Sequence, residues 1–222
     1  MGFNVAIDGP AGAGKSTIAK AVARKMGFIY VDTGAMYRAI ALYLLRKGVS
    51  PDDNENIEKY CVEAKVSIKY EDNVQIVMLN GENVNGLIRT QEVSNMASVS
   101  SANPKVRAQL LELQRDMAAK NDVVMDGRDI GTNILPNAGC KIYMTASSKV
   151  RAQRRFLELK EKGTECDLDT IEKEIIERDE RDMHREIAPL KQAEDAVFMD
   201  TSEMSIEEVT NKMIEIIKDK RK

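Results

Sequence analysis

The sequence predicts an α/β fold in which helices flank a parallel sheet of five strands. The first observation is a glycine-rich stretch near the N-terminus that has the strand, loop and helix order of a phosphate-binding loop. The second is a set of five short apolar runs that mostly alternate with helical patterns, as in a parallel sheet covered on both faces. The third is a hairpin pattern between the second and third runs, which predicts a small antiparallel β insertion.

The glycine-rich stretch follows an apolar run that ends at Asp8, and its residues 9–16 read GPAGAGKS. They match the pattern G-x-x-x-x-G-K-[ST], and apolar residues then recur at helical spacing from Ile18 to Met26. Such a loop wraps a polyphosphate with its backbone N–H groups, so its side chains must be small, and the helix that follows begins where an anion is favoured. We therefore predict the core of a P-loop NTPase; a glycine-rich turn without a ligand is the alternative.

This loop supplies the ATP contacts that the sequence predicts. Lys15 is expected to reach the β- and γ-phosphates, and the Ser16 hydroxyl is expected to hold Mg²⁺. The predicted ATP-binding residues of the loop are Gly9, Pro10, Ala11, Gly12, Ala13, Gly14, Lys15, Ser16 and Thr17.

The five apolar runs define the predicted parallel sheet. They are Phe3–Asp8, Phe28–Val31, Asp122–Asp126, Lys141–Thr145 and Ala196–Met199. Two of the helices carry clear start signals. Ser205 and Glu208 form a capping box before the last helix, and Asn103 with Pro104 begins a helix that runs to about Met117.

One segment breaks the alternation of strands and helices. Val66–Tyr70 and Val74–Leu79 have the patterns of strands. Asn80-Gly81 is a hairpin turn that leads into Glu82–Asn85. We interpret residues 61 to about 89 as an insertion; a surface hairpin without a functional role is the alternative.

The composition predicts one cytoplasmic domain with reduced cysteines. The chain has 222 residues, of which 43% are hydrophobic and 31% charged, and a net charge of -3 argues against binding to nucleic acid or to anionic membranes. It has neither a run of about 18 apolar residues nor a signal peptide. Cys61, Cys140 and Cys166 lack C-x-x-C spacing, and His184 is the only histidine, which excludes a His-rich metal site.

Charged residues follow the predicted strands at the sheet edge where ligands bind in such folds. In the segment DTGAMYR, Thr33 could simply cap the next helix, and Arg38 is placed to contact a phosphate. Asp126 ends the third run and resembles the carboxylate that helps to hold Mg²⁺ in P-loop proteins. Arg128 and Asp129 follow directly, beside the phosphate-binding loop; a plain turn is the alternative for this segment.

A charged helix is predicted around Thr170–Glu186. Charges continue its apolar face, because five residues fall within about 80° on a helical wheel: Ile171, Ile175, Arg178, Asp182 and Arg185. Charges that face inward are costly unless they are paired or bind a ligand. We therefore expect this face to contact a ligand; a helix end that projects past the core is the alternative.

Arginines also cluster early in the helix after the fourth run, at Arg151, Arg154 and Arg155. Arg151 and Arg155 share a helix face. Phosphoryl transfer spreads negative charge over the transferring oxygens, which mobile arginines can neutralise. An ordinary solvated surface helix is the alternative.

Taken together, these motifs resemble the bacterial-type cytidylate kinases. The resemblance rests on the phosphate-binding loop, DTGAMYR, the hairpin insertion, IRTQEV at 88–93, DGRDIGT at 126–132 and ERDERDMHREIAPL at 177–190, and it runs from about residue 3 to 218. It implies a nucleoside-monophosphate kinase fold with a monophosphate-binding insertion and a short helical lid. It also implies transfer of the γ-phosphoryl group of ATP, with Mg²⁺, to CMP or dCMP in pyrimidine metabolism.

The resemblance also implies the residues of the site. Positions that match the monophosphate-binding residues of the family are Thr33, Arg38, Ser98, Arg107, Arg128, Asp129, Arg178, Asp182 and Arg185. Arg151 and Arg155 match lid positions that face ATP. The residues expected to act in catalysis are Lys15, Arg128, Arg155 and Arg185, and those expected to hold the metal are Ser16 and Asp126. Many relatives have serine at the position of Thr33, which keeps the hydroxyl.

These assignments agree with the chemistry of cytosine. Asp129 and Ser98 can accept a hydrogen bond from the N4 amine, and Arg107 can donate to N3 and O2. Uracil presents an acceptor in place of N4, and a buried mismatch of that kind costs about 1–3 kcal/mol. We expect Asp182 and Arg178 to bind the ribose hydroxyls. The acceptor phosphate is assigned to Arg38, Arg128 and Arg185.

The predicted organisation is a single kinase domain over residues 1–222. Residues 1–60, 90–150 and 187–222 form the core, 61–89 the β insertion, and 151–186 the lid region with the charged helix. We expect a monomer that binds ATP and CMP or dCMP, without nucleic acid or membrane. A kinase for AMP, UMP or shikimate is one alternative. A nucleotide-binding switch lacks support because no N-K-x-D segment follows a strand, and a nucleic-acid-coupled ATPase fits poorly with 5% aromatic residues and no Trp.

Overall fold

A computed structural model of the chain describes residues 2–72, 74–161 and 163–222. The strands are β1 (Asn4–Asp8), β2 (Ile29–Asp32), β3 (Val66–Glu71), β4 (Val74–Leu79), β5 (Glu82–Asn83), β6 (Val123–Gly127), β7 (Cys140–Thr145) and β8 (Val197–Asp200). The helices are α1 (Lys15–Met26), α2 (Thr33–Arg46), α3 (Asn54–Cys61), α4 (Gln91–Ser100), α5 (Pro104–Lys120), α6 (Ser148–Glu161), α7 (Leu168–His184) and α8 (Ile206–Lys220). A short π-helical turn spans Ile130–Ile134.

The predicted five-stranded sheet is confirmed, and its order is β2-β6-β1-β7-β8 with every neighbouring pair parallel. All five strands lie within about one residue of the predicted runs. Because both faces of a parallel sheet must be covered, α1 and α8 pack on one face through side chains such as Val22 and Met213. On the other face α2 and α5 supply Ile40 and Leu110.

The helix start signals are confirmed in two places and corrected in a third. Asn103 accepts a hydrogen bond from the backbone of α5, with Pro104 as the first helical residue, and the capping box at Ser205 begins α8. At α2 the cap is Asp32, whose Oδ1 accepts from the Ala35 N–H at 2.8 Å. The alternative in which Thr33 caps this helix is therefore wrong.

The predicted hairpin is present as a separate antiparallel sheet of order β3-β4-β5. Its turn residues have positive φ, 48° at Asn80 and 86° at Gly81, as the Asn-Gly pattern requires. The last strand is shorter than predicted and ends at Asn83. The reason is that the Asn85 side chain replaces a strand, since its amide donates to the Gln75 carbonyl and accepts from the Val77 N–H, both at 2.9 Å.

The charged helix α7 ends two residues earlier than predicted. Its last residue is His184, and Arg185 takes an extended conformation with φ -65° and ψ 142°. Its guanidinium donates from Nη2 to the carbonyl of Ala188 at 2.6 Å. With α6, α7 forms a small apolar cluster of its own, around Ala152, Ile171 and Ile175. In the described part of the chain no helix is both long and apolar enough to cross a membrane.

Candidate active site

A cleft of about 1050 Å³ opens at the carboxyl ends of the parallel strands. The strand order determines which groups line it. The phosphate-binding loop follows the central strand β1, and Arg128 follows β6 beside it. Arg38 and its helix α2 follow the edge strand β2 on one side, whereas Arg151 and the start of α8 follow β7 and β8 on the other.

The loop has the backbone that a phosphate cradle needs. Gly9, Gly12 and Gly14 have φ of 148°, 74° and 86°, and a Cβ at Gly9 would lie 1.9 Å from the Met144 carbonyl oxygen, so a side chain is excluded there. Helix α1 begins at Lys15 without a side-chain cap, which leaves its first N–H groups open to an anion.

Lys15 is buried under the loop. Its ammonium donates to the Pro10 carbonyl at 2.6 Å. Burial, and next the charge of Arg128, lower the pKa of Lys15 well below its usual range. The negative charge of a bound polyphosphate would favour the charged form of this ammonium.

The two predicted metal-binding residues are adjacent. The Ser16 hydroxyl donates to Oδ2 of Asp126 at 2.9 Å, and the Tyr30 hydroxyl donates to Oδ1 at 2.9 Å. Burial, and next the charge of Asp32, raise the pKa of Asp126 to about 6. A hydroxyl beside a carboxylate that is costly to ionise fits a Mg²⁺ ion. Because no cluster of three or more His, Cys, Asp or Glu among the described residues could hold a metal, such an ion would also need phosphate oxygens.

The arginines beside the loop include unpaired donors. The Nε atoms of Arg38 and Arg178 are buried and have no hydrogen-bond partner in the described chain, and both residues line the cleft. Burial, and next the charge of Arg128, lower the pKa of Arg178 to about 10. Arg128 is paired, because its Nε donates to Asp182 at 2.9 Å. Unpaired buried guanidinium donors fit an anionic ligand.

Several predicted substrate residues are instead joined in a buried cluster behind the cleft. Asp129 forms an ion pair with Arg107, and its other oxygen lies 3.5 Å from Nη2 of Arg185. The Ser98 hydroxyl accepts from Arg181 at 3.2 Å. The structure therefore brings Asp129, Arg107 and Arg185 together, but their charged groups are turned to one another.

Thr33 and Asp182 are also buried and engaged. The Thr33 hydroxyl donates to the backbone carbonyl of Asp126 at 2.7 Å. Burial raises the pKa of Asp182, but Arg128 and Arg178 outweigh that effect and leave the pKa lowered. Asp182 thus carries a stable negative charge among the arginines of the cleft.

The two arginines predicted to lie in a lid, Arg151 and Arg155, differ from one another. Arg151 is 5% exposed and donates to the Ala11 carbonyl at 2.9 Å and to Asp179 at 2.5 Å, so that it joins the loop to α7. For Arg151 the alternative of a solvated surface helix is therefore wrong. Arg155 is partly exposed and pairs with Glu158 at 2.9 Å. Both arginines line the cleft.

Asp8 was not predicted as a site residue, but it orders the turn that carries Asp129. Its carboxylate accepts from the N–H groups of Ile130 and Gly131 at 2.8 and 2.7 Å. Burial raises the pKa of Asp8 to about 6, although these hydrogen bonds oppose the rise. Its position at the end of a central strand was the available signal. Arg181, on the charged helix, was also missed and lines the cleft.

Comparisons with known proteins cover nearly the whole chain. A family model described as cytidylate kinase matches residues 5–219. A cytidylate kinase of Caldicellulosiruptor bescii is 50% identical over 214 residues, which are 96% of this chain and 95% of that protein. One from Lactobacillus johnsonii is 50% identical over 220 residues, which are 99% of this chain and 96% of that protein.

Among solved structures, a gluconokinase from Sinorhizobium meliloti has a TM-score of 0.50 at 11% identity, over 98% of this chain and 92% of that chain. That likeness concerns the fold alone. The family model and the two relatives, by contrast, extend over almost every residue from the phosphate-binding loop to α8. On that basis the chain belongs to the cytidylate kinase family.

Proposed function

We propose that this chain transfers the γ-phosphoryl group of ATP to CMP or dCMP, giving ADP and CDP or dCDP. The observation that carries the proposal is one cleft in which a phosphate-binding loop faces arginines with unpaired buried donors. A loop of this kind binds one polyphosphate, and the arginines across from it provide charge for a second phosphate.

The donor half is the side of β7 and β8. The loop from Gly9 to Thr17 would wrap the phosphates of ATP, with Lys15 moving from the Pro10 carbonyl to the β- and γ-phosphates. Arg151 would hold the loop against α7. Ser16 and Asp126 would hold Mg²⁺, which supplies charge neutralisation for the phosphates when it is bound.

The acceptor half is the side of β2 and β6. Arg38, Arg128 and Arg185 would bind the monophosphate, whereas Arg178 and Asp182 would bind the ribose hydroxyls. A ligand in this half is supported by the unpaired Nε atoms of Arg38 and Arg178. Thr33, held on the Asp126 carbonyl, would contribute to the wall of this half.

Base recognition requires a rearrangement of the buried cluster. The ion pair between Asp129 and Arg107 must open so that Asp129 accepts from the cytosine N4 amine and Arg107 donates to N3 and O2. Ser98 would exchange its bond with Arg181 for one with the base. The ion pair keeps both groups satisfied before the nucleotide arrives.

The reaction needs no general base, because the acceptor phosphate is already a dianion. One of its oxygens attacks the γ-phosphorus as the bond to the β-phosphate oxygen breaks, and ADP leaves with that electron pair. The contribution of the protein is alignment together with neutralisation of charge by Lys15 and the arginines. Arg155 would close onto the transferring group. Closure of the insertion at 61–89 and the lid region at 151–186 would exclude water.

The test is an ADP-release assay with ATP, Mg²⁺ and separate acceptors: CMP, dCMP, UMP, AMP, GMP and shikimate. We expect fast turnover with CMP and dCMP. Turnover with AMP or UMP instead would refute the base assignment while leaving the phosphate-binding mechanism in place. Light scattering on the same sample tests the expected monomer.

A further inference from the structure

The β insertion is attached to the edge strand of the core at two points. β2 is an edge strand of the five-stranded sheet and has β6 as its neighbour. The backbone N–H and C=O groups of every second residue of β2 therefore point away from the sheet. The Tyr70 hydroxyl donates to the Tyr30 carbonyl at 2.9 Å. Two residues further along, the side-chain amide of Gln75 pairs with both backbone groups of Asp32, accepting from its N–H at 2.8 Å and donating to its carbonyl at 3.2 Å.

Gln75 is well placed to hold Asp32 firmly. It is 9% exposed, and its own backbone carbonyl accepts from the Asn85 amide at 2.9 Å. A side-chain amide that satisfies one donor and one acceptor of a strand edge replaces a neighbouring strand at that residue. The insertion thus fixes the backbone of Asp32 on the side of β2 that faces away from β6.

Asp32 in turn holds an arginine of the cleft. One carboxylate oxygen caps α2 at the Ala35 N–H, and the other accepts from Nη2 of Arg89 at 3.0 Å. Arg89 lines the cleft, and its side chain is 55% exposed. Among the described residues Arg89 has one ion pair, with Asp32. A long exposed side chain held in this way depends on that pair for its orientation.

The electrostatics of Asp32 agree with this arrangement. Burial raises the pKa of Asp32, but the charges of Arg38 and Arg89 outweigh burial and leave the pKa lowered. Asp32 is therefore charged at neutral pH and interacts with two guanidinium groups on the acceptor side of the cleft.

We propose that Gln75 is a positioning residue, which fixes Asp32 from the insertion so that Asp32 holds Arg89 toward the acceptor phosphate. The inference rests on the proposed function, since it concerns the acceptor half of the same cleft. It also gives the hairpin a role in the site that a surface hairpin would not have.

The experiment compares Gln75→Met with Tyr70→Phe. Each removes the bonds of one hairpin side chain to β2, but only Gln75 contacts the residue that holds Arg89. We expect Gln75→Met to raise the KM for CMP about fivefold to tenfold, with the KM for ATP and kcat within about twofold of the unmodified chain. Tyr70→Phe should leave all three unchanged. An equal rise in the KM for CMP in both variants would overturn the proposal, because it would indicate a general effect of loosening the insertion.

A double variant separates positioning from structural damage. Arg89→Met should raise the KM for CMP, and adding Gln75→Met to it should raise that KM no further. Additive effects would overturn the proposal.

If Gln75→Met does not fold, Gln75→Asn keeps the amide on a shorter side chain and should also raise the KM for CMP. An unchanged KM in Gln75→Asn would overturn the proposal as well. Absence of CMP turnover in the unmodified chain would refute the proposed function, whereas normal turnover with unchanged kinetics in the Gln75 variants would refute the positioning role alone.

Discussion

Asp126 should lower the stability of the nucleotide-free protein at neutral pH. Burial, and next the charge of Asp32, raise its pKa from an ordinary value of 3.8 to about 6. An acid whose pKa is higher in the folded than in the unfolded state has no effect on stability below about pH 4, where it is protonated in both states. It lowers stability progressively as the pH rises from about 4 to about 6, and above that pH the loss is complete. We therefore expect Asp126→Asn to be more stable than the unmodified chain at pH 7 while losing activity.

The magnitude follows from the same values. A rise from 3.8 to about 6 corresponds to about 3 kcal/mol of stability lost by neutral pH. An asparagine accepts at one oxygen only, so one of the bonds from Ser16 and Tyr30 is lost, at about 1 kcal/mol. The attraction between Asp126 and Lys15 is already contained in the pKa of about 6 and is not subtracted again. The net gain is then about 2 kcal/mol, or about 4–8 °C in the melting temperature.

The assay is thermal unfolding without nucleotide or Mg²⁺ between pH 4 and 8. The gain in melting temperature of Asp126→Asn should shrink as the pH falls. It should become a loss near pH 4, because Asp126 is then protonated and the two chains differ only by the lost hydrogen bond. The matched control is Asp182→Asn, because Arg128 and Arg178 hold the pKa of that buried carboxyl below its usual range. It should be less stable than the unmodified chain at pH 7, by about 3–5 kcal/mol, with a difference that shrinks on acidification. If Asp126→Asn melted at or below the unmodified chain at pH 7, the reasoning about this carboxylate would be refuted.

Three further predictions concern the site. Lys15→Ala should lower kcat by at least about 10²-fold without lowering the melting temperature, because burial already disfavours this charge; turnover near that of the unmodified chain would contradict its role. Asp129→Asn should reduce the preference for CMP over UMP, measured as a ratio of kcat/KM values, by about 5- to 100-fold. Asn133→Ala, which removes only a 3.1 Å bond to the same carboxylate, is its control and should keep the ratio. Asp8→Asn should lower kcat/KM for CMP, because one oxygen cannot serve both N–H groups of the turn; hydrogen exchange at Ile130 and Gly131 should quicken, and unchanged exchange would contradict the assigned contact.

The fold was largely predictable because its signals are local. The phosphate-binding loop is a contiguous pattern, each buried strand is a contiguous apolar run, and the caps at Asn103 and Ser205 involve neighbouring residues. The hairpin was equally local, apart from its last strand. That strand ends early because Asn85 bonds back to β4, a contact between side chain and backbone that periodicity does not report.

The sequence could predict which charged residues lie in the site, but not which of them form ion pairs with one another. Charges at strand ends and on one face of α7 pointed to a ligand-binding edge, since inward charges need partners. Which charge pairs with which depends on how separate elements pack: Arg107 with Asp129 joins α5 to the turn after β6, and Arg151 with Asp179 joins α6 to α7.

By itself the sequence determined the order of strands, helices and motifs along the chain, the phosphate-binding loop and the family resemblance, because each depends on neighbouring residues or on their spacing. Only the tertiary structure decided that Asp8 orders the turn after β6, that Asp32 holds Arg89, and that Gln75 reaches Asp32 from the insertion. The physical reason is that hydrogen bonds and ion pairs between distant segments depend on distances of a few ångströms, and those distances exist only after the apolar faces of the sheet and helices have packed.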